Sequence, residues 1–130
     1  MRASQRPVTR SALATGNNLD SVPYSGYSLP RMKYEVIVAK DAQIQFGKLD
    51  GRWRSRLKNE MRQHLEHQPK RESKSRIKRL RGLRQPQYRM RVDHMRVFYD
   101  VNDEMRRVEV LGFMDKSDTP AWLNIHGVPE

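Results

Sequence analysis

Residues 88–103 read YRMRVDHMRVFYDVND. Apolar or aromatic side chains alternate with arginines from Tyr88 to Val92. In a half-buried strand alternate residues share a face. The pattern therefore predicts Tyr88, Met90 and Val92 toward a core, with Arg89 and Arg91 together on the opposite face. Asp93-His94 is a tight connection. The next run alternates again, with Arg96, Phe98 and Asp100 on one face and Val97, Tyr99 and Val101 on the other. Asn102-Asp103 supplies the following turn. The stretch reads as an antiparallel hairpin whose one face is lined with arginine.

Outward from this hairpin, VEVLGF (108–113) is apolar enough to be an interior strand. Thr119-Pro120 fits the cap and first position of a short helix through Ile125, ended by Gly127. Leu80–Leu83 is a further short apolar run. Upstream, Tyr34–Ala39 is a β-branched run of strand length. Asp41 is the expected cap of a helix. Ile44, Phe46, Leu49, Trp53, Leu57, Met61 and Leu65 follow, with a steady step of four from Leu49, which is one helical face. Asp50-Gly51 divides this region into two helices, the second ending before Pro69. Arg52, Arg54, Arg56, Lys58 and Arg62 fall off the apolar stripe. Helices segregated to one face of a small antiparallel sheet of about four strands make an α+β fold, with a short C-terminal helix.

Of the 130 residues, 36% are hydrophobic and 32% charged, with a net charge of +11. That length supports one domain with one modest core. The imbalance draws a protein to polyanions, nucleic acid first and an anionic membrane surface second. The excess is concentrated. Residues 1–31 carry four Arg and one Asp, and residues 32–68 eight Lys/Arg and five acids. Residues 69–96 carry eleven Lys/Arg and two acids, and residues 97–130 three Lys/Arg and seven acids. The four segments sum to +3, +3, +9 and −4.

Without cysteine, disulfides, thiolate catalysis and Cys-based zinc sites are excluded. No stretch approaches the ~20 apolar residues of a spanning helix, and a cytoplasmic setting is expected. Residues 1–31 are rich in Ser, Gly, Asn, Pro and Arg and show no period, so they read as a flexible leader. A mitochondrial-type presequence and a docking arm are the alternative readings. Met32 then opens the domain, 32–130, and is the expected biological start.

The order of elements, with the strings KRLRG (78–82), YRMRV (88–92), RVFYDVND (96–103) and VEVLGF followed by Lys116, resembles the RelE/ParE toxin superfamily. The resemblance covers about residues 32–126. It implies the toxin of a type II toxin–antitoxin module, held inactive by a cognate antitoxin that wraps it. Some such members cleave messenger RNA on the ribosome without metal or cofactor, whereas others poison DNA gyrase and are not enzymes. By resemblance to the RNA-cleaving members, Arg89, Arg91, Arg96 and Lys116 form a catalytic set. Arg91 and Arg96 stabilise the phosphate, while Arg89 and Lys116 handle charge or protons. Arginine suits phosphate by its bidentate fork. The plain alternative is a solvated strand face, its arginines serving solubility or an antitoxin carboxylate.

Two departures from that pattern matter. Trp122 stands where ribosome-dependent relatives often carry a tyrosine. An indole stacks on a base but cannot act as a general base, and its other reading is core, packed by Leu123 and Phe113. Arginines replace lysines at two strand positions, and arginine is a poor proton carrier. His94 is the nearest substitute for a proton shuttle. Its alternative is a solvated hairpin tip.

The basic link 69–84 supplies Lys74, Arg76, Lys78, Arg79, Arg81 and Arg84 as nucleic-acid-binding candidates, against the alternative of a mobile basic loop. His64 and His67, with Glu60 one turn before His64, are too few for the usual tetrahedral metal site. No glycine-rich phosphate loop or nucleophile elbow occurs. The expectation is thus a ribosome-dependent endoribonuclease toxin. A gyrase-binding toxin and an inactive nucleic-acid- or antitoxin-binding relative are its rivals.

Overall fold

Strand β1 spans Glu35–Val38, inside the β-branched run that favours extended backbone. The computed structural model describes residues 33–130. The leader expected at residues 1–31 lies outside the described residues. Helix α1 (Lys40–Gly47) and helix α2 (Gly51–Glu60) follow, and α2 passes directly into a π-helical turn, Met61–Leu65. Asp50 starts α2: its carboxylate accepts the Trp53 N–H at 2.9 Å, a cap worth about 1 kcal/mol. Asp41 is not a cap. Ala39 holds the N-cap position of α1 without a side-chain bond, and Asp41 lies in the first turn, where its charge meets the positive helix end.

The four-residue step faces the sheet. Leu57, Met61 and Leu65 are buried, and Leu49 and Trp53 pack against the same cluster. Each full burial of a leucine stabilises by about 1.5–3 kcal/mol. The other side of the core comes from strand residues, among them Met90, Val92, Val97, Tyr99, Val108 and Val110.

Among the described residues the main sheet has five strands in the order β1-β6-β5-β4-β2. They comprise β2 (Ile77–Arg79), β4 (Tyr88–Val92), β5 (Met95–Asn102) and β6 (Arg107–Asp115), beside β1. Strand β1 runs parallel to β6, whereas the other neighbours are antiparallel. This corrects the expected count of about four antiparallel strands. The parallel pair joins Glu35–Val38 to Arg107–Val110, far apart in sequence, a pairing no local pattern announces. The extra strand, β2, was disguised by its charges: only Ile77 of its three residues is buried, opposite Met90.

Of the short apolar run Leu80–Leu83, only Leu83 enters a strand. Gly82 turns the chain at φ +77°, which glycine adopts without steric cost. A short strand β3 (Leu83–Gln85) then pairs with β7 (Val128–Pro129) in a second, two-stranded sheet. The C-terminal helix α3 spans Thr119–His126 after a 3-10 turn, Lys116–Asp118. Asp118, not Thr119, holds its N-cap position, and Pro120 sits in the first turn. VEVLGF is interior, flanked by β1 and β5. The helices α1 and α2 cover one face of the sheet, while the arginine-bearing face looks the other way.

Candidate functional site

Pairing in register brings the expected cations into rows across the outer face. Lys78 stands opposite Arg89, and Arg89 opposite Phe98. Phe98 in turn stands opposite Gly112. In the next row Arg91 faces Arg96, and Arg96 faces Met114. Met90 and Val92 are fully buried on the other face, so the alternation places Arg89 and Arg91 as expected. Like charges directly opposite on neighbouring strands destabilise a sheet. The Arg91–Arg96 pair is therefore a cost that the fold bears.

Among the described residues no carboxylate pairs with Arg89, Arg91 or Arg96. The Nε of Arg89 is buried and has no hydrogen-bond partner among those residues. Burial, then Arg91 and Arg96, hold the Arg89 guanidinium below its ordinary pKa. Burial and then Arg91 lower Arg96 in the same sense, and Asp115 partly offsets them. Arg96 folds back on the hairpin, where its Nη1 donates to the carbonyls of Asp93 at 2.8 Å and Met95 at 3.1 Å. An anion brought to this face would meet donors already in place and would relieve their mutual repulsion.

His94 lies at the hairpin tip. Its Nδ1 is 2.6 Å from the Asp115 Oδ1, and its ring meets Trp53 edge-on with centroids 4.9 Å apart. Asp93 beside it pairs with Arg56 of α2. The Ser117 backbone N–H and hydroxyl both donate to the Asp115 Oδ2, at 2.8 and 2.6 Å. The Ser117 hydroxyl, its N–H and then His94 hold the Asp115 carboxyl down at about 2. Lys116 is exposed on the adjoining turn, and its backbone N–H donates to the His94 carbonyl at 2.7 Å. Sequence reasoning missed Asp115. The signal was available in Asp115-Lys116-Ser117, since an aspartate readily accepts from the N–H two residues on.

Trp122 does not pack on Phe113. Its indole stacks on Phe98, with centroids 5.1 Å apart and planes at 25°, and leans on His126. Phe113 lies on the opposite face against Phe46. The sheet makes room for the indole at Gly112: a Cβ there would come within 2.8 Å of the Trp122 Cζ2. Trp122 is half-buried, so it belongs to the outer face beside Arg89 while remaining partly open.

The basic link divides. Lys78 shares the face of Arg89. Arg76 is turned to Glu60 of α2, and Arg79 donates to the carbonyls of Leu80 and Gln87, both at 2.9 Å, and lies over the Tyr88 ring. Lys74, Arg81 and Arg84 are exposed. Only part of the link thus adds to the arginine face, and its central residues form a strand rather than a loose loop. His64 leans on Glu60 at 3.6 Å. Burial and then Arg76 lower its pKa, with Glu60 opposing them. Among the described residues no three His, Cys, Asp or Glu side chains gather to hold a metal. Nor is any described helix long and apolar enough to cross a membrane.

With its helices on one face, its arginines on the other and its C-terminal helix over Phe98, the chain has a RelE-like toxin fold. It is similar to RelE in the archaeal RelE–RelB complex of Pyrococcus horikoshii, at 27% identity and TM-score 0.54, over 65% of this chain and 97% of that one. The isolated Escherichia coli RelE toxin is 24% identical with TM-score 0.54, over 71% of this chain and 98% of that one. A chain of the RelBE2 toxin–antitoxin complex of Mycobacterium tuberculosis is 22% identical with TM-score 0.56, over 68% and 98%. No protein-family model matches the chain, and no curated protein does.

Proposed function

We propose that the protein is the toxin of a toxin–antitoxin module and acts in the cytoplasm as a ribosome-dependent, metal-independent endoribonuclease on messenger RNA. One observation carries this reading. Arg89, Arg91 and Arg96 converge on one sheet face with no carboxylate partner among the described residues, and one of them keeps a buried donor unused. Such a set costs stability and suits a phosphate that gains charge in the transition state. Arg91 and Arg96 take the scissile phosphate, and Arg89 and Lys116 take the developing charge. Lys78, opposite Arg89 on the same face, draws in the flanking backbone. Trp122 offers a half-open indole for a base.

The RelE chains to which this one is similar occur with RelB antitoxins, which supports a cognate antitoxin here. A groove of about 450 Å³ runs between the β1 edge and the helices, its apolar lining from Val36, Val38, Phe46, Met61 and Phe113 rimmed by Gln43, Lys58, Arg62 and Glu66. It suits the apolar face of an antitoxin helix. The rival reading, a ParE-like inhibitor of DNA gyrase, is favoured by Trp122, which has no titratable proton where a phenol is expected.

The test is primer extension on messages from cells briefly expressing the full chain, beside an Arg96→Ala variant. Discrete cuts inside translated frames are expected, weakened about 10²–10³-fold in the variant. Growth arrest with intact messages would overturn the nuclease reading in favour of gyrase. RNA binding without arrest would leave an inactive binding module.

A further inference from the structure

Where the π-helical turn Met61–Leu65 meets the loop that leads into β2, the surface forms a hollow of about 290 Å³. His64 and Gln68 line it from the helical end. Arg71, Ser73 and Arg76 line it from the loop, and Ile77 from the first position of β2. A π-helical turn is rare and frequently marks a functional site.

The polar atoms of this lining are committed in one sense. The Gln68 Oε1 accepts from the Arg71 Nη1 at 3.0 Å, so the amide keeps its N–H donors to spare. The Ser73 Oγ accepts from the Arg76 N–H at 3.1 Å and the Ile77 N–H at 3.4 Å. Its hydroxyl proton is left to donate. Arg76 gives one Nη to Glu60 and keeps the rest of its fork. Arg71 meets no carboxylate among the described residues. The acceptors of the lining are thus used and its donors are in surplus. Glu60 answers the charge of Arg76, whereas the charge of Arg71 is left over. The guest that completes such a set accepts in every direction and carries negative charge.

We propose that this hollow binds a phosphate monoester, at a site separate from the arginine face. The proposal does not rest on the nuclease reading. A carboxylate offers two oxygens in one plane. A phosphate offers oxygens in several directions, which matches donors arriving from the helical end on one side and the loop on the other. Inorganic phosphate, a nucleotide and the phosphorylated end of a nucleic acid share this chemistry.

His64 reports on the site from within. Its Nε2 is 3.6 Å from Glu60. Burial and then Arg76 hold the imidazole below its ordinary pKa, with Glu60 opposing them. Arg71 lines the same hollow. A bound anion beside the ring would favour the imidazolium and raise the pKa of His64.

The experiment follows the histidine ring resonances of the full chain as inorganic phosphate is added at constant ionic strength. His64→Gln assigns the His64 signals. Phosphate should shift those signals saturably and raise the midpoint of their pH titration. Arg71 is exposed, so Arg71→Gln should spare the fold and weaken the response about 10-fold or more. Arg91→Ala combined with Arg96→Ala should leave the response intact, which separates the hollow from the arginine face. A nucleoside monophosphate and a short RNA with a 5′-phosphate, each beside its 5′-hydroxyl counterpart, then identify the source of the phosphate. A His64 signal that ignores phosphate, or answers chloride equally, overturns the site. So does a response that is undiminished in Arg71→Gln or lost with Arg91 and Arg96. An equal response to acetate overturns the phosphate assignment and gives the hollow to a carboxylate.

Discussion

Arg91 and Arg96 stand directly opposite each other on β4 and β5, and no packing argument favours that pair. Arg91 is exposed, so a neutral β-former in its place would lose no core contact. Arg91→Thr should raise stability by about 0.5 kcal/mol, the scale of a cross-strand pair. The same change should weaken RNA binding and cleavage, because a stabilised variant at a functional site trades against activity. Thermal or urea unfolding beside an RNA-binding titration checks both halves. A variant less stable than wild type would mean that Arg91 is held by contacts the sheet needs.

At the scale of elements, the placement of α3 depends on one glycine. Gly112 lies opposite Phe98, and a Cβ there would meet the Trp122 ring and the Met114 Cε, each at 2.8 Å. The methionine end can swing aside, but the stacked indole cannot move without leaving Phe98. Gly112→Ala should therefore cost about 1–3 kcal/mol, the usual penalty of overpacking, and should red-shift the Trp122 emission as the ring is expelled. Trp53→Phe provides the background against which that emission is read. This element also marks where the sequence stopped being legible. The alternation of YRMRV and the four-residue step from Leu49 to Leu65 report burial directly, so the hairpin and the helical face could be read from residues alone. The seat of Trp122 could not, since it depends on Phe98 and Gly112 meeting across two strands. Arg76 and Arg79 looked like their basic neighbours, yet Glu60 and the Tyr88 ring hold them elsewhere. The parallel β1–β6 pair likewise joins distant segments. His94 was legible as a candidate and the Asp115–Ser117 turn was open to reading, whereas their contact depends on the ends of β5 and β6 coming together.

For the molecule as a whole, the outer face of the sheet is polarised along β5. Arg96 sits at the hairpin end. Asp100 sits toward the other end, where Asp103, Glu104 and Glu109 line a hollow of about 610 Å³. RNA should therefore be confined to the hairpin half, and the number of phosphates it contacts there can be counted. If only Lys78, Arg89, Arg91, Arg96 and Lys116 engage, five contacts give a log–log salt slope of about −3.5 for a single strand. Affinity would then fall on the order of 100-fold between 50 and 200 mM salt. Engagement of Lys74, Arg81 and Arg84 as well would steepen the slope to about −5.6. Fluorescence anisotropy with a short single-stranded RNA at several salt concentrations distinguishes these cases. The fold argues for the shallower slope, because Arg84 lies on β3, outside the main sheet, and Lys74 precedes β2. A slope near −5.6 that drops by about 2 in a Lys74→Ala, Arg81→Ala, Arg84→Ala triple variant would instead extend the RNA path along the whole basic link. A slope near zero would mean that the arginine face does not bind RNA electrostatically at all.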